Sequence, residues 1–243
     1  MALAPDLICL QEVTLRTLAS WQQRLAQEGW PHAVAAAAEP AVLAGRLRPL
    51  LTFTAARVPL RAIELTGTPW PERVLAVAVA GLELFNVHSP TSPKPGLAKV
   101  LTHELVAARL AGGAGPRVLC GDLNTPRREH ADGRVWTFAR DRYGRLRRER
   151  GERWDHAELA LIKGLEQHGF RDAFRATHGL EVRELSWEWQ RWGGGYRLDH
   201  LIVSGDVEVS DVHYLHDWRR DGLSDHSPLF AGLRWQLTEP VRR

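Results

Sequence analysis

The sequence predicts an α/β fold in which two mixed β-sheets pack face to face with helices outside, a four-layer α/β/β/α sandwich. Three observations predict it. Short apolar runs of strand length recur along the chain, segments of helical spacing interrupt them, and the alternation of strands and helices falls into two halves of similar make-up. With 243 residues, 44% of them hydrophobic, the chain can bury a sizeable core, and no linker long or polar enough to split it is present. One domain over residues 1–243 is expected.

Asp6 to Gln11 is a buried strand by its length and its branched, apolar content. Leu15, Leu18 and Leu25 then follow helical spacing, with Thr14 as N-cap and Gly29 as the stop. From Ala41 the pattern changes to short runs separated by Pro and Gly: Ala41 to Leu43, Leu51 to Thr54, Ala62 to Leu65, Val74 to Ala80, and Leu82 to Val87. These read as consecutive antiparallel strands. Leu97, Leu101 and Leu105 mark a helix that stops at Gly112-Gly113, and Arg117 to Cys120 is the strand after it. A second helix covers Trp154 to His168 with Gly169 as its stop. Strands resume at Leu198 to Val203, Val207 to Leu215 and Leu229 to Leu233.

Net charge is +3, yet lysine occurs only at positions 94, 99 and 163, so the basic residues are nearly all arginine. Ten arginines stand between Arg127 and Arg153 against five acidic residues. That stretch, about 127–153, reads as an insertion between the halves. It either lies along a polyanion or forms a solvated, partly mobile face. No apolar stretch approaches the roughly 20 residues that span a bilayer, and Met1 to Pro5 lacks a basic region followed by a long apolar segment. A soluble, unexported protein with no membrane partner, cytoplasmic and monomeric, is expected. Cys9 and Cys120 sit inside strand-like runs, where small buried thiols are expected rather than ligands or nucleophiles.

Polar residues recur at the ends of the apolar runs. Gly121-Asp122-Leu123-Asn124 follows Arg117 to Cys120, Glu12 follows Asp6 to Gln11, His88 follows Leu84 to Val87, and Asp199-His200 opens Leu201 to Val203. Ser224-Asp225-His226-Ser227-Pro228 precedes the last run. Strand ends of a rigid sheet hold such groups at fixed separations, so these converge on one site. Glu12 suits a hard divalent ion that keeps waters to share with a phosphate, and Asp225 adds a second metal contact. Asp122 can orient or deprotonate a water while Asn124 donates to a phosphoryl oxygen. Asp199 and His226 suit a carboxylate–imidazole pair that offsets charge on a scissile phosphate. His88 is placed to protonate a leaving alkoxide or to hold a phosphate oxygen.

These strings in this order (Leu10-Gln11-Glu12, Asn86-Val87-His88-Ser89-Pro90, Gly121 to Asn124, Arg197 to His200 and Ser224 to His226) resemble the endonuclease/exonuclease/phosphatase superfamily of Mg2+-dependent phosphodiesterases and phosphomonoesterases. The C-terminal half, with Phe170 to Arg175, His178, Ser186-Trp187, Gly195 to Asp199 and Val203-Ser204, is most similar to the exonuclease III type of abasic-site endonuclease. The resemblance implies that Glu12 holds the metal, Asp122 handles the attacking water, Asn124 binds the phosphoryl group and Asp199 pairs with His226. It also implies a loop with Trp187, Trp189 and Trp192 facing the substrate, where aromatic faces pack on an unstacked base or an abasic sugar. Arg127 and Arg128 are expected to contact the DNA backbone.

The chain departs from the pattern twice. His88 stands where the exonuclease III type carries a tyrosine, as in the DNase I and sphingomyelinase-like branches. Only eleven residues precede Glu12, so the family's first strand, with its metal-positioning Asn, is expected to be missing. The expected activity is hydrolysis of DNA phosphodiester bonds with Mg2+ or Mn2+, as an abasic-site endonuclease or 3′ exonuclease of DNA repair. The alternatives are a phosphatase or phosphodiesterase on a small molecule or lipid headgroup, and an inactive nucleic-acid-binding relative.

Overall fold

A computed structural model of the protein describes residues 3–91, 96–189, 191 and 193–236. Strand β1 (Leu7–Thr14) runs directly into helix α1 (Leu15–Gln27), and Thr14 caps it, its hydroxyl accepting from the Thr17 N–H at 3.2 Å. Strand β2 (His32–Ala35) and the short helix α2 (Pro40–Ala44) precede β3 (Leu50–Ala56). The expected strand at Ala41 to Leu43 is therefore a helical turn. Pro40 at its first position has φ preset for a helix. Strands β4 (Leu60–Ile63), β5 (Val74–Val79) and β6 (Leu82–Val87) follow, then α3 (Ala98–Gly112) and β7 (Arg117–Asp122).

The Arg-rich stretch folds into tight turns. Strands β8 (Arg128–Glu129) and β9 (Val135–Trp136) form a small hairpin, and Arg140 bridges to Leu146. Its own and neighbouring carboxylates pair several of the arginines: Arg134 with Asp132, Arg140 with Asp155, and Arg153 with Glu104. Helix α4 (Gly151–Ile162) begins inside the stretch and ends before Gly164, so the expected helix to His168 finishes as a 3-10 turn. Then come β10 (Phe170–Asp172), α5 (Ala173–His178), the hairpin β11 (Trp187–Glu188) and β12 (Gly195–Tyr196), β13 (Asp199–Ser204), β14 (Val207–Tyr214), α6 (His216–Arg220) and β15 (Leu229–Trp235).

A six-stranded mixed sheet, in the order β10-β13-β7-β6-β5-β4, is the backbone of the fold. Only the β6–β7 pair is parallel, joined through the crossover helix α3. Alternation along its strands sorts two cores. Phe85, Val87, Leu119 and Ile202 pack under α3 and α4 with Val106, Leu110 and Leu161. Leu84, Val118, Leu201 and Val203 face the other way, toward Leu7 and Cys9 of β1 and Leu229, Ala231 and Leu233 of β15. Across β1 and β3, Ile8, Leu10 and Phe53 turn outward onto Leu18 and Leu25 of α1. Helix, sheet, sheet and helix are thus the expected four layers.

The second layer is in two pieces, β1-β3-β2 and the β14–β15 hairpin. Strand β1 lies against β6 and β7, and β15 lies against β13. Among the described residues neither β1 nor β15 has a partner on its second edge. No helix among the described residues is long and apolar enough to cross a membrane.

Candidate active site

Three neighbouring strands of the large sheet bring their polar ends together. Asp122, the last residue of β7, is the direct cross-strand partner of Asp199, the first of β13. On the other side β7 closes tightly on β6, where the Ser89 N–H donates to the Asp122 carbonyl at 2.7 Å. Gly121 makes that approach possible, because its φ is +119° and a Cβ there would collide with the Val87 carbonyl. From the second layer, β1 is pinned by Asn86. Its amide donates to the carbonyls of Leu10 (3.2 Å) and Phe53 (3.0 Å), and its Oδ1 accepts from Gln11 at 2.7 Å. A break in register between Leu10 and Val13 and a φ of +61° at Glu12 turn that carboxylate toward His88, 3.6 Å from Nε2. Asp122 Oδ2 lies 3.7 Å from the same nitrogen.

His226 Nδ1 lies 2.6 Å from Asp199 Oδ2. Asp199 is itself held through its backbone, whose N–H donates to Ser186 Oγ and whose carbonyl accepts from the Tyr214 hydroxyl. Burial alone would depress the imidazole, but the hydrogen bond and charge of Asp199, with Asp122 and Asp225 adding, push it up to about 9. Burial and the Asp199 charge push Asp122 up to about 7, against the pull of His226 and Lys99 and the Asn124 N–H. Burial, then Arg73 and His226, hold His88 down at about 3, so His88 is neutral near pH 7. A neutral ring donates one N–H to a phosphate oxygen, which fits the holding role better than that of an acid.

The Asp122, Asp199 and His226 donor atoms lie within 4.8 Å of one another. Two carboxylates crowded this closely, one of them pushed toward protonation, fit a hard divalent cation that would relieve their repulsion. Glu12, 64% exposed, opens to solvent beside them and could leave waters on such an ion. Asp225 is exposed and outside that cluster, reaching the site only through its charge on His226.

Asn124, at φ +50°, fixes Asp122 from both sides. Its N–H donates to Oδ1 at 2.8 Å, and its amide donates to Oδ2 at 3.0 Å and to the Ser89 carbonyl at 2.8 Å. Both amide hydrogens are engaged, so a phosphoryl oxygen would have to take one from Asp122. Trp187 stacks parallel to Tyr196 and edge-on to Trp189, and bridges backbone to backbone with His226. Arg127 is half-buried with its charge acting on Tyr196, whereas exposed Arg128 lies over Trp136, 5.6 Å from the ring centre. Trp192 lies outside the described residues.

One group at the site was not legible in the sequence. Arg73 ends the 3-10 turn Pro71–Arg73, stacks on Trp70 and places Nη1 3.3 Å from His88 Nε2. Burial depresses its guanidinium, and Glu12, Glu72 and Asp122 draw it back up. The only signal was an arginine between a Pro-flanked turn and a strand, which surface arginines share.

The profile of the Endonuclease/Exonuclease/phosphatase family matches residues 2–226. No curated protein sequence matches the chain. Solved structures do, at identities that speak to the fold alone. An AP endonuclease from Archaeoglobus fulgidus superposes with a TM-score of 0.68 at 19% identity, over 94% of this chain and 88% of the other. The 3′ phosphatase NExo from Neisseria, bound to a product DNA hairpin, gives 0.66 at 22% identity over 95% and 90%. A humanized D. rerio TDP2 gives 0.62 at 15% identity over 95% and 86%.

Proposed function

The chain belongs to the Endonuclease/Exonuclease/phosphatase family, and from that membership we propose that it hydrolyses DNA phosphodiester bonds with Mg2+ or Mn2+, incising at abasic sites and acting at 3′ ends. As a member it is a phosphoric ester hydrolase. The observation that carries the finer reading is the convergence of Asp122 with the hydrogen-bonded pair Asp199 and His226 beside His88. The structural neighbours described as an AP endonuclease and as a 3′ phosphatase bound to a product DNA hairpin support DNA as the substrate.

In this reading the Asp122 carboxylate takes the proton of a water as its oxygen attacks phosphorus. The His226 imidazolium, kept charged by Asp199, lies against the phosphoryl oxygens and offsets the charge that builds there. Neutral His88 donates an N–H to another phosphoryl oxygen, and Asn124 holds the Asp122 carboxylate in line. Glu12, joined by Asp122, would hold a divalent cation, which when bound polarises the phosphoryl group and stabilises the leaving oxygen. Trp187, Trp189 and Tyr196 form the face for an unstacked base or abasic sugar, with Arg127 reaching the backbone.

The test is cleavage of a duplex carrying one abasic-site analogue, beside an undamaged control, with Mg2+ and with EDTA. Incision at the lesion that requires Mg2+ supports the reading. Turnover of a small phosphate ester with none on DNA would move the same site to a small-molecule phosphatase, and DNA binding with no hydrolysis would leave an inactive relative.

A further inference from the structure

Beneath the Asp122–Asn124 turn lies a buried cation that the reaction above does not use. Lys99, in the first turn of α3, is 3% exposed, and its ammonium donates to the Asn124 carbonyl at 2.7 Å and to Glu158 Oε1 at 2.7 Å. Glu158, on α4 and 1% exposed, also accepts from Trp154 Nε1 (2.6 Å), Thr125 Oγ1 (2.7 Å) and the Phe138 N–H (2.8 Å). One carboxylate thus gathers α3, α4, the turn after β7 and the chain after β9. One helical turn beyond Lys99, His103 Nε2 lies 2.7 Å from Ser89 Oγ, so the same face of α3 also holds the end of β6.

A buried ion pair is a poor way to gain stability, because desolvation offsets most of its attraction and an apolar pair of equal volume does as well. Its geometry answers a different need. Asn124 has a left-handed backbone that a residue with a side chain seldom adopts, and its N–H and amide fix both oxygens of Asp122. Ser89 restrains Asn124 at its amide. Lys99 restrains it at its carbonyl, and the Glu158 carboxylate aims the ammonium. We propose that Lys99, aimed by Glu158, is a positioning residue for phosphoester hydrolysis, locking the Asn124 backbone so that Asp122 keeps its line to the attacking water. The inference rests on the hydrolytic reading for its effect on rate, but not for its effect on the turn.

Lys99→Met alone would strand the Glu158 charge and is expected to unfold the chain in part. The double substitution Lys99→Met with Glu158→Gln removes both charges at nearly constant volume and is the variant to measure. Three readouts are compared with the parent: thermal melting, kcat and KM on the abasic duplex, and hydrogen exchange of a peptide spanning residues 121–126. Melting within a few degrees of the parent, kcat lower by about 10- to 100-fold at unchanged KM, and faster exchange confined to that peptide are expected. Lys99→Arg, which keeps a buried cation, should recover most of the rate. Parental kcat in the double variant overturns the proposal, as does a loss that vanishes once rates are normalised to the folded fraction. If the parent hydrolyses no phosphoric ester, the hydrolytic reading falls. The exchange data then decide alone, and unchanged exchange of 121–126 overturns the positioning of the turn.

Discussion

His226 is charged at neutral pH, where a solvated histidine is mostly neutral, and Asp122 is held near its midpoint, at about 7, where a solvated aspartate is fully ionised. Asp122 must lose its proton, and His226 must keep its own. With Mg2+ present kcat/KM should fall above about 9 as His226 loses its proton, and the acid limb should lie below the metal-free value of about 7, because a cation held by Asp122 favours its ionised form. Both limbs are read across the acid to alkaline range. Stability follows the same groups. His226, raised by folding, contributes fully below its unfolded value near 6.5, and that contribution is lost as pH rises through about 9. Asp122 is raised as well, so the folded chain loses stability between about 4 and 7 as the carboxyl is forced to ionise. Asp122→Asn should accordingly lower turnover by about 100-fold or more, leave DNA binding intact, and raise stability in EDTA by roughly 1–3 kcal/mol in urea titration. Near-parental turnover would remove Asp122 from its role. Glu12→Gln should raise the Mg2+ concentration at half-maximal rate several-fold. An unchanged metal titration would move the cation to the carboxylates of Asp122 and Asp199 alone. At this scale the sequence was readable where a polar residue ended an apolar run, as at Glu12, His88, Asp122 and Asp199. It was unreadable for Arg73 and for the double use of the Asn124 amide, because these depend on which segment folds over which.

Strand ends were more legible than turns. Thr14 caps α1 as its type and position indicate, and β5, β6, β13 and β14 stand within a residue or so of their apolar runs. The run Ala41 to Leu43 went astray because three apolar residues suit a strand or a helical turn alike, and Pro40 decided between them. The stretch from Arg127 to Arg153 shows why counting charge is insufficient. Arg134, Arg140 and Arg153 are tied to carboxylates, while Arg127 and Arg147 both act on Tyr196 of the aromatic face. Replacing Arg127 and Arg147 by Ala should flatten the slope of log K for DNA against log salt by about one to two. Replacing Arg134 and Arg153 should leave it nearly unchanged. Equal slopes in the two variants would return the whole stretch to a solvated face. Gly121→Ala is expected to lower the melting temperature sharply, since the added methyl meets the Val87 backbone and the strands carrying His88 and Asp122 must part.

Across the molecule, four layers were foreseeable from the alternation of runs, and sheet order was not, because pairing between distant strands leaves no periodic mark. The split second layer sets up a mechanical asymmetry. Glu12 rides on β1, whose strand ladder stays within β1-β3-β2, whereas His226 leads into β15 of the separate hairpin. Both pieces rest on the six-stranded sheet through apolar contacts and a few polar ties, among them those of Asn86, the Tyr214 hydroxyl and Arg171. Backbone amides along β1 should therefore exchange with solvent faster than those of β6 and β7 directly beneath them. No strand ladder joins the two pieces among the described residues, so Glu12 and His226 are held at their separation only through the sheet on which both pieces rest.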